Sequence, residues 1–363
     1  MSFSDLIGRI KGEVLVTGVD VGHSSIKFAQ VEHKRSEKRL IAVDVEYLPA
    51  KTIEDNEVRE PKALQDALTR LMQRRFPDGI QGEIVLGINW SNGILADRVS
   101  LRKQSDDTNE AFILEEAGKR PPFNEDGVNL DYEILSETAQ GDQDVLIVAA
   151  KGAGLSAWVN LFKPVEIIPS ILEVDAFAAV NIFLLSSTED ELKQTVAILN
   201  IGDKRTHISI VRNGLFHSTR TVQNASVDTF LSQMSRRIGL DSEMVGKILR
   251  EESTEPYDND LFNQALEFAA DEFAVSLELA LRYFTSSENQ ERVQKLILVG
   301  GGAGISGLTG FLTSKLAIET VCFESAKVQA ALHVDQSIFG ASGMTQDALN
   351  TLVTAIGLAT RKP

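Results

Sequence analysis

LVTGVDVGHSSIKFAQV, residues Leu15–Val31, is the stretch of sequence around which the rest of the chain is organised. Alternating apolar residues on both sides of a small polar turn predict a β-hairpin. Gly22 lets the backbone of this turn approach a ligand closely, and the hydroxyls of Ser24 and Ser25 add hydrogen-bond donors. Backbone N–H groups in such a turn can hold an anion, but one Gly/Ser turn alone is better explained as an ordinary hairpin.

The same pattern recurs 180 residues later, in VAILNIGDKRTHISIV at Val196–Val211. Asp20-x-Gly22 in the first copy aligns with Asn200-x-Gly202 in the second. An offset of almost half of the 363-residue chain is typical of two similar halves. Each half is expected to aim one turn at a shared cleft.

A third glycine cluster, VGGGAGISGL at Val299–Leu308, follows the strand pattern KLILV and precedes the helical pattern LTGFLTSKL. Its glycines allow a close backbone approach, and the start of the following helix favours negative charge. Three such turns together predict an anion site far more specifically than one does.

Composition narrows the possible classes of function. The formal net charge of −16 argues against nucleic acid or an anionic membrane as a direct partner. The single cysteine, Cys322, cannot form an internal disulfide, which fits a reducing compartment. We find no secretion leader, no stretch long enough to cross a bilayer and no metal-binding spacing among the histidines. We therefore expect a cytoplasmic protein with no direct membrane insertion.

The three turns resemble the two phosphate loops and the adenosine loop of the actin/Hsp70/sugar-kinase ATPases. Within that superfamily the chain is most similar to the PilM family of type IV pilus assembly, relatives of the division protein FtsA. The similarity covers nearly the whole chain, including Glu115–Leu135 and Ile171–Phe183. It implies an α/β, actin-like bilobed fold, in which two RNase H-like lobes carry an inserted FtsA-type 1C α+β subdomain.

The resemblance also implies how the chain is divided. The first lobe (1A) comprises residues 1–97 and 166–194, and the inserted 1C-like subdomain comprises residues 98–165. The second lobe (2A) comprises residues 195–225 and 291–345, and its subdomain 2B comprises residues 226–290. Residues 346–363 form a C-terminal helix that packs on the first lobe. A change of composition between about Asp97 and Val165 supports an insertion at this place. We see no linker long enough to separate independent domains.

For the site, the resemblance implies ATP and Mg²⁺ as cofactors. Backbone amides of the first two turns would hold the β- and γ-phosphates, Lys27 would add positive charge, and Asp20 would order water molecules on the magnesium ion. The third glycine cluster would lie against the adenine and the sugar. The predicted cofactor-binding residues are Asp20, Gly22, His23, Ser24, Ser25, Lys27, Asn200, Gly202, Asp203, Lys204, Thr206, Glu243, Lys247, Gly300, Gly301, Gly302 and Ala303.

Three candidate residues have a structural explanation that is equally good. Glu243 and Lys247 match positions that touch the adenosine in the family, but their spacing of four also suits an ordinary helical ion pair. Asp175 stands where relatives place a residue that polarises the attacking water, which makes it the tentative catalytic residue. It equally suits the capping of a helix.

Two departures from the family pattern weaken the prediction of catalysis. Asn200 stands where the family usually has aspartate, and an amide brings no charge to a hydrated cation. Lys204 stands where actin has glycine, so its side chain would either obstruct a close backbone approach or meet a phosphate itself. We therefore expect nucleotide binding with weak or absent hydrolysis, and whether the chain is an enzyme stays open.

The resemblance implies a cytoplasmic ATP-binding scaffold of the inner-membrane platform that assembles the pilus. Its partner would be the N-terminal peptide of a PilN-like membrane protein, docked between the first lobe and the inserted subdomain, roughly Arg98–Ala150. Other platform proteins, the assembly ATPase and a second copy of the chain are further candidate partners. The alternatives are an ATP-dependent small-molecule kinase, which the inserted module and Asn200 disfavour, and an FtsA-like division filament.

Overall fold

The computed structural model describes residues 13–361 except 36, 56, 90–92, 103–108, 120–126, 139–140, 251, 254–255, 288–291, 335–336 and 343–348. Within these ranges, no helix combines the length and the apolar character that crossing a bilayer requires. The described strands form two large sheets, one small sheet and a short hairpin.

The elements follow one another along the chain in an order that alternates hairpins with helices. They are β1 (Val14–Val21), β2 (Ser25–His33), β3 (Lys38–Tyr47), β4 (Ile53–Glu54), β5 (Glu57–Val58), α1 (Pro61–Arg75), β6 (Glu83–Ile88), β7 (Ile94–Arg102), α2 (Asn109–Gly118), β8 (Val128–Glu137), β9 (Asp142–Lys151), α3 (Gly152–Asn160), β10 (Ile171–Val174), α4 (Asp175–Ser186), α5 (Glu189–Leu192), β11 (Thr195–Ile201), β12 (Thr206–Arg212), β13 (Leu215–Val222), α6 (Val227–Ile238), α7 (Ser242–Leu249), α8 (Asn259–Ser287), β14 (Lys295–Val299), α9 (Leu308–Leu316), β15 (Glu319–Cys322), α10 (Ser325–Ala331), α11 (Ser337–Ser342) and α12 (Leu349–Ala359).

The two large sheets have the same topology. The first lobe is built on the sheet β3-β2-β1-β6-β10, and the second lobe on β13-β12-β11-β14-β15. In each, the first three strands pair antiparallel and the last two join in parallel. The parallel strands are reached through helical crossovers, as parallel pairing requires. The repeat read from the sequence is therefore a repeat of structure.

Register confirms the alignment of the two halves residue by residue. Asp20 lies opposite Lys27 in the first hairpin, and Asn200 lies opposite His207 in the second. The central strands are buried on both faces; Val19 and Leu199, for example, are fully buried. Strands of this kind read as continuous apolar runs because helices cover both faces of the sheet.

The small sheet, β7-β9-β8, is a separate antiparallel unit inserted after β6. Helix α2 covers it by packing Ile113 and Ala117 against Val99, Val145 and Ile147. The predicted start of the inserted subdomain at residue 98 falls within β7, and the division of the chain into segments stays a prediction. We call this unit the inserted sheet.

Helices α6, α7 and α8 form a bundle on the second lobe. Their apolar faces meet around Phe230, Met234 and Phe273, all of which are buried. Local sequence sets where the helices begin, because Ser226 and Asp241 accept hydrogen bonds from backbone amides three residues ahead.

The C-terminal helix α12 joins the two lobes. All of its residues except Asn350 and Thr351 are buried, and Leu358 packs with Val16 and Ala178 of the first lobe. On its other side, the carbonyl of Asn350 accepts a hydrogen bond of 2.9 Å from the amide of Gly300 in the second lobe. The helix therefore lies at the base of the cleft between the lobes.

Candidate functional site

The two hairpin turns have the same backbone structure. In the first, the amide of Gly22 donates to the carbonyl of Ser25 at 2.9 Å. In the second, the amide of Gly202 donates to the carbonyl of Arg205 at 2.8 Å. In each hairpin, the glycine amide immediately after the leading strand donates to the carbonyl three residues ahead and so closes the turn.

The first turn carries an ion pair. Lys27 Nζ lies 3.2 Å from Asp20 Oδ2, and the two side chains are only 12% and 15% exposed. Ser25 is buried beneath the turn, whereas Ser24 is exposed. Shielding from solvent makes the pair stronger than an exposed one, and the lysine keeps positive charge at the turn.

In the second turn, the positions equivalent to this ion pair hold neutral groups. Asn200 Nδ2 donates to Oγ1 of Thr354 on α12 at 3.3 Å. His207, which takes the place of Lys27, is 4% exposed and lies 3.4 Å from Thr221 Oγ1 through Nδ1. Asn200 therefore contacts the helix that joins the lobes.

The start of helix α6 lies against the second turn. The amides of Val227 and Asp228 donate to the carbonyls of Gly202 and Asp203, at 3.1 and 2.9 Å. Lys204 is exposed and pairs with the Asp228 carboxylate at 2.8 Å, so it does not obstruct the backbone of its own turn. The first two amides of α6 are therefore already engaged, and the positive charge at this turn comes from Lys204 and Arg205.

Electrostatic effects across the cleft indicate that the two turns are neighbours. Burial raises the pKa of Asp203, and the positive charges of Lys204 and of Lys27 in the first lobe oppose that shift. Burial lowers the pKa of His207 to about 4, with smaller contributions from nearby positive charge that include His23. Residues of one turn thus act on the titration of residues in the other.

The third glycine cluster packs directly on the end of β11. Gly300 has φ of 85°, and a Cβ atom there would lie 2.5 Å from Asn200 Oδ1. A Cβ atom on Gly302 would lie 2.2 Å from Cγ2 of Ile201. Only glycine permits this approach, which places the cluster beside the second turn while Gly301 stays exposed and Ala303 is buried.

A polar cavity of about 540 Å³ lies between the turns. His23 of the first turn and Lys204 and Arg205 of the second line it, together with the start of α6 and the acidic tip of the β4–β5 hairpin. At the base of the second turn, Thr206 is fully buried, and its Oγ1 has no hydrogen-bond partner among the described residues. Of the residues predicted for the two phosphate turns, His23 and Lys204 line this cavity.

The remaining candidates have structural contacts of their own. Lys247 Nζ lies 2.7 Å from Glu243 Oε1 on the surface of α7, as the alternative of an ordinary ion pair predicts. Asp175 is the first residue of α4, and its carboxylate accepts a hydrogen bond of 2.7 Å from the amide of Ala176. The roles assigned to these residues in the family stay predictions.

A second and larger cavity, of about 1,020 Å³, separates the first lobe from the inserted sheet. Leu130 and Val148 of the inserted sheet face Leu172, Phe177 and Leu184 of the first lobe across it. We call this cavity the groove. Its position is the one that the family resemblance implies for a bound peptide.

The tip of the β12–β13 hairpin was missed by the sequence analysis. Gly214, Leu215 and Phe216 of the second lobe line one end of the groove. The sequence does contain a signal for a tight turn, Asn213-Gly214, but not for where its tip lies.

Two lobes of one topology, with paired glycine turns converging at the cleft, define an actin-like ATPase fold. The match to the family model of the type IV pilus assembly protein PilM extends over residues 18–363. The chain belongs to this family.

Solved structures agree with the fold. A structure of the PilM-PilN type IV pilus biogenesis complex contains a chain that is 22% identical, with a TM-score of 0.76 over 97% of this chain and 100% of that one. The ethanolamine utilization protein EutJ from Carboxydothermus hydrogenoformans is 12% identical, with a TM-score of 0.55 over 95% and 89%. MreB 5 of Spiroplasma citri bound to AMPPNP is a more distant match, 12% identical with a TM-score of 0.49 over 88% and 94%.

Proposed function

We propose that this chain is an ATP-binding scaffold that captures the N-terminal peptide of a PilN-like inner-membrane protein in the groove. The observation that carries the proposal is the groove itself, a cavity of about 1,020 Å³ between the first lobe and the inserted sheet, in a chain of the PilM family. The partner would recruit the chain to the inner-membrane face. Contacts with other platform proteins, with the assembly ATPase or between copies of the chain belong to the same proposal.

The chemistry of the groove suits a peptide with apolar side chains. Both walls are mainly aliphatic, which favours burial of apolar groups, and a few polar groups can set the orientation of a ligand. At its base, Glu173 is 5% exposed and pairs with Arg361 at 2.6 Å. Burial raises the pKa of Glu173, and the charge of Arg361 opposes this shift. Asp131 and Glu133 add negative charge from the inserted sheet.

The cleft suits the phosphates of a nucleotide. Lys204 and Arg205 of the second turn supply positive charge to a cavity that His23 of the first turn also lines. When bound, ATP would supply the charge that holds the two turns together.

The site is poorly equipped for hydrolysis. Asn200 brings no charge to a magnesium ion, and its amide group is engaged with Thr354. The Asp175 carboxylate accepts a hydrogen bond from the start of its own helix, as the helix-capping alternative predicts. Among the described residues, no cluster of three or more metal-binding side chains is present, so magnesium would depend on Asp20 through water and on the phosphates themselves.

The experiment measures peptide and nucleotide binding to the full chain. A fluorescent peptide from the N-terminus of the PilN-like partner is titrated with wild-type protein, with Ala150→Arg inside the groove and with Leu95→Arg as a matched control. Ala150 lines the groove, whereas Leu95 is 44% exposed on the neighbouring strand and lies outside it. We expect binding by the wild type and the control, and its loss in Ala150→Arg.

A second assay follows ATP binding and turnover in the same preparations, together with a panel of sugars. Saturable ATP binding with little phosphate release is expected. Failure of the wild type to bind the peptide would refute the scaffold, and a phosphorylated sugar would support the kinase alternative instead.

A further inference from the structure

The groove is an apolar surface that the described part of the chain leaves partly uncovered. Leu130, Ile134, Leu155 and Phe177 on its walls are only partly buried, and Leu185 is 38% exposed. Shielding such side chains from water is favourable, and a contiguous exposed apolar surface is typical of a binding site. The proposed partner peptide is one occupant of the groove, and a segment of this same chain is a second.

Residues 1–12, which precede the described part of the chain, have a sequence that suits an apolar groove. Phe3, Leu6, Ile7 and Ile10 are spaced by three, one and three residues, a pattern that predicts one apolar side of a short helix. A helix over residues 3–10 would be about 12 Å long. It fits the groove, where the seven residues 129–135 of β8 extend over about 20 Å.

The first strand of the chain begins close to the groove. Val14 at the start of β1 lies opposite His33 on β2, and His33 lies opposite Lys38 on β3. Lys38 lines the groove together with Thr360, whose carbonyl accepts a hydrogen bond of 2.7 Å from Lys38 Nζ. Two strand spacings, about 10 Å, separate Val14 from Lys38. The three residues before Val14 can span about 10 Å, so residues 3–10 are within reach of the groove.

Charge favours the same arrangement. Residues 1–12 contain two basic side chains, Arg9 and Lys11, and one acidic side chain, Asp5, although the whole chain has a formal net charge of −16. The wall formed by β8 carries Asp131 and Glu133, both of them exposed. Because opposite charges attract most strongly where water is partly excluded, a basic segment is drawn to this wall.

We propose that residues 1–12 occupy the groove when no partner is bound, and that the partner peptide must displace them. The proposal rests on the function proposed above and adds regulation of the same groove, since the segment acts as an autoinhibitory ligand. A ligand on so short a tether has an effective concentration in the millimolar range. With a dissociation constant of about 0.1 mM for the groove, the segment lowers the apparent affinity for the partner about tenfold.

The first experiment measures binding of the fluorescent partner peptide to three forms of the full chain. Ile7→Asp places a charge within the apolar side of the segment. Ser4→Asp adds the same charge outside that side and is the matched control. We expect the partner peptide to bind about tenfold more tightly to Ile7→Asp than to wild type, and with equal affinity to Ser4→Asp and wild type.

A second experiment tests the contact without the partner. A fluorescent synthetic peptide of residues 1–12 is titrated with the Ile7→Asp chain and with the same chain that also carries Ala150→Arg inside the groove. We expect the peptide to bind the first chain, to be displaced from it by the partner peptide and to fail to bind the second. The same synthetic peptide with Ile7→Asp should bind neither chain.

Equal affinity for the partner peptide in all three forms, or a synthetic peptide that does not bind, overturns the proposal and leaves the proposed function intact. If no form binds the partner peptide, the proposed function is refuted, and the synthetic peptide alone decides whether the segment occupies the groove. Vesicles of anionic phospholipid provide a further arm. Binding to them by wild type but not by Ile7→Asp, at unchanged affinity for the partner, would identify residues 1–12 as a membrane contact and overturn the proposal.

Discussion

The two phosphate turns share a backbone but differ in chemistry. Both are closed by a glycine amide that donates three residues ahead, and both end the same strand of the same sheet topology. Yet Asp20 and Lys27 form a charged pair in the first lobe, whereas Asn200 and His207 are neutral in the second. The comparison teaches that the repeat specifies the shape of the site, while the surroundings of each turn determine its charge.

The surroundings explain the difference. The first turn is partly open to the cleft, where a charged pair keeps some solvent. The second turn contacts α12 and the third glycine cluster, and Asn200 lies against Thr354 and Gly300. Asn200 donates its amide hydrogen to Thr354 there, whereas a carboxylate could only accept.

The largest expected effect concerns the neutral histidine. Folded His207 has a pKa of about 4, below its usual value of 6.5, so only the unfolded chain takes up this proton between those values. Its contribution to stability is complete above pH 6.5 and is lost as the pH falls toward 4, by about 3 kcal/mol. His207→Asn should remove this part of the pH dependence in urea unfolding, and His217→Asn, on the neighbouring strand, should retain it. Parallel curves for His207→Asn and wild type would contradict the assignment.

The second-largest effect concerns Gly22 and Gly202, which should differ in how much replacement by alanine lowers the free energy of unfolding. A Cβ atom on Gly202 would lie 2.7 Å from the Arg205 carbonyl oxygen, whereas on Gly22 the nearest atoms, Lys27 Nζ and Ser25 O, would be 3.3 and 3.4 Å away. Gly202→Ala should therefore cost about 2 kcal/mol, as overpacking does, and Gly22→Ala less than about 1 kcal/mol. Urea unfolding of the two variants gives both values, and equal losses would show that the turns are sterically alike.

Exchanging the acidic and amide residues should shift the magnesium dependence in opposite directions. Asn200→Asp adds a charge where a hydrated cation would lie, and Asp20→Asn removes one. Each change should alter the effect of magnesium on ATP affinity by about 1 kcal/mol, or about fivefold, a strengthening in the first case and a weakening in the second. Titrations of ATP in the presence of magnesium and in the presence of a chelator measure this change in affinity. Shifts of the same sign would mean that the two positions do not face one cation.

The smallest effect is expected at the exposed ion pair. Lys247 and Glu243 are 44% and 78% exposed, so Lys247→Met should leave the free energy of unfolding almost unchanged. Lys27→Met, which breaks the shielded ion pair of the first turn, should lower the free energy of unfolding by more than Lys247→Met does. Thermal unfolding compares the two variants. Weaker ATP binding by Lys247→Met at unchanged stability would support a contact with adenosine, and a large loss of stability would show that the pair is more than a surface contact.

Much of the site was accessible from the sequence because it depends on local rules. Alternating apolar residues and a glycine determine each hairpin, and the 180-residue offset between Asp20 and Asn200 revealed the repeated topology. Gly300 and Gly302 predicted a close approach of the backbone to a neighbouring group. The sequence did not predict that the neighbouring residues would be Asn200 and Ile201. The family resemblance supplied the roles that local patterns could not.

By itself, the sequence determined the two similar lobes and the three glycine turns, because each follows from residues close together in the chain. Only the tertiary structure decided that Asn200 contacts Thr354, that His207 stays neutral, and that the hairpin tip at Phe216 reaches the groove. These properties depend on burial and on contacts between residues far apart in sequence. The charge state of a side chain and the shape of a cavity depend on contacts between elements that are far apart in the sequence. Short sequence patterns do not contain that information.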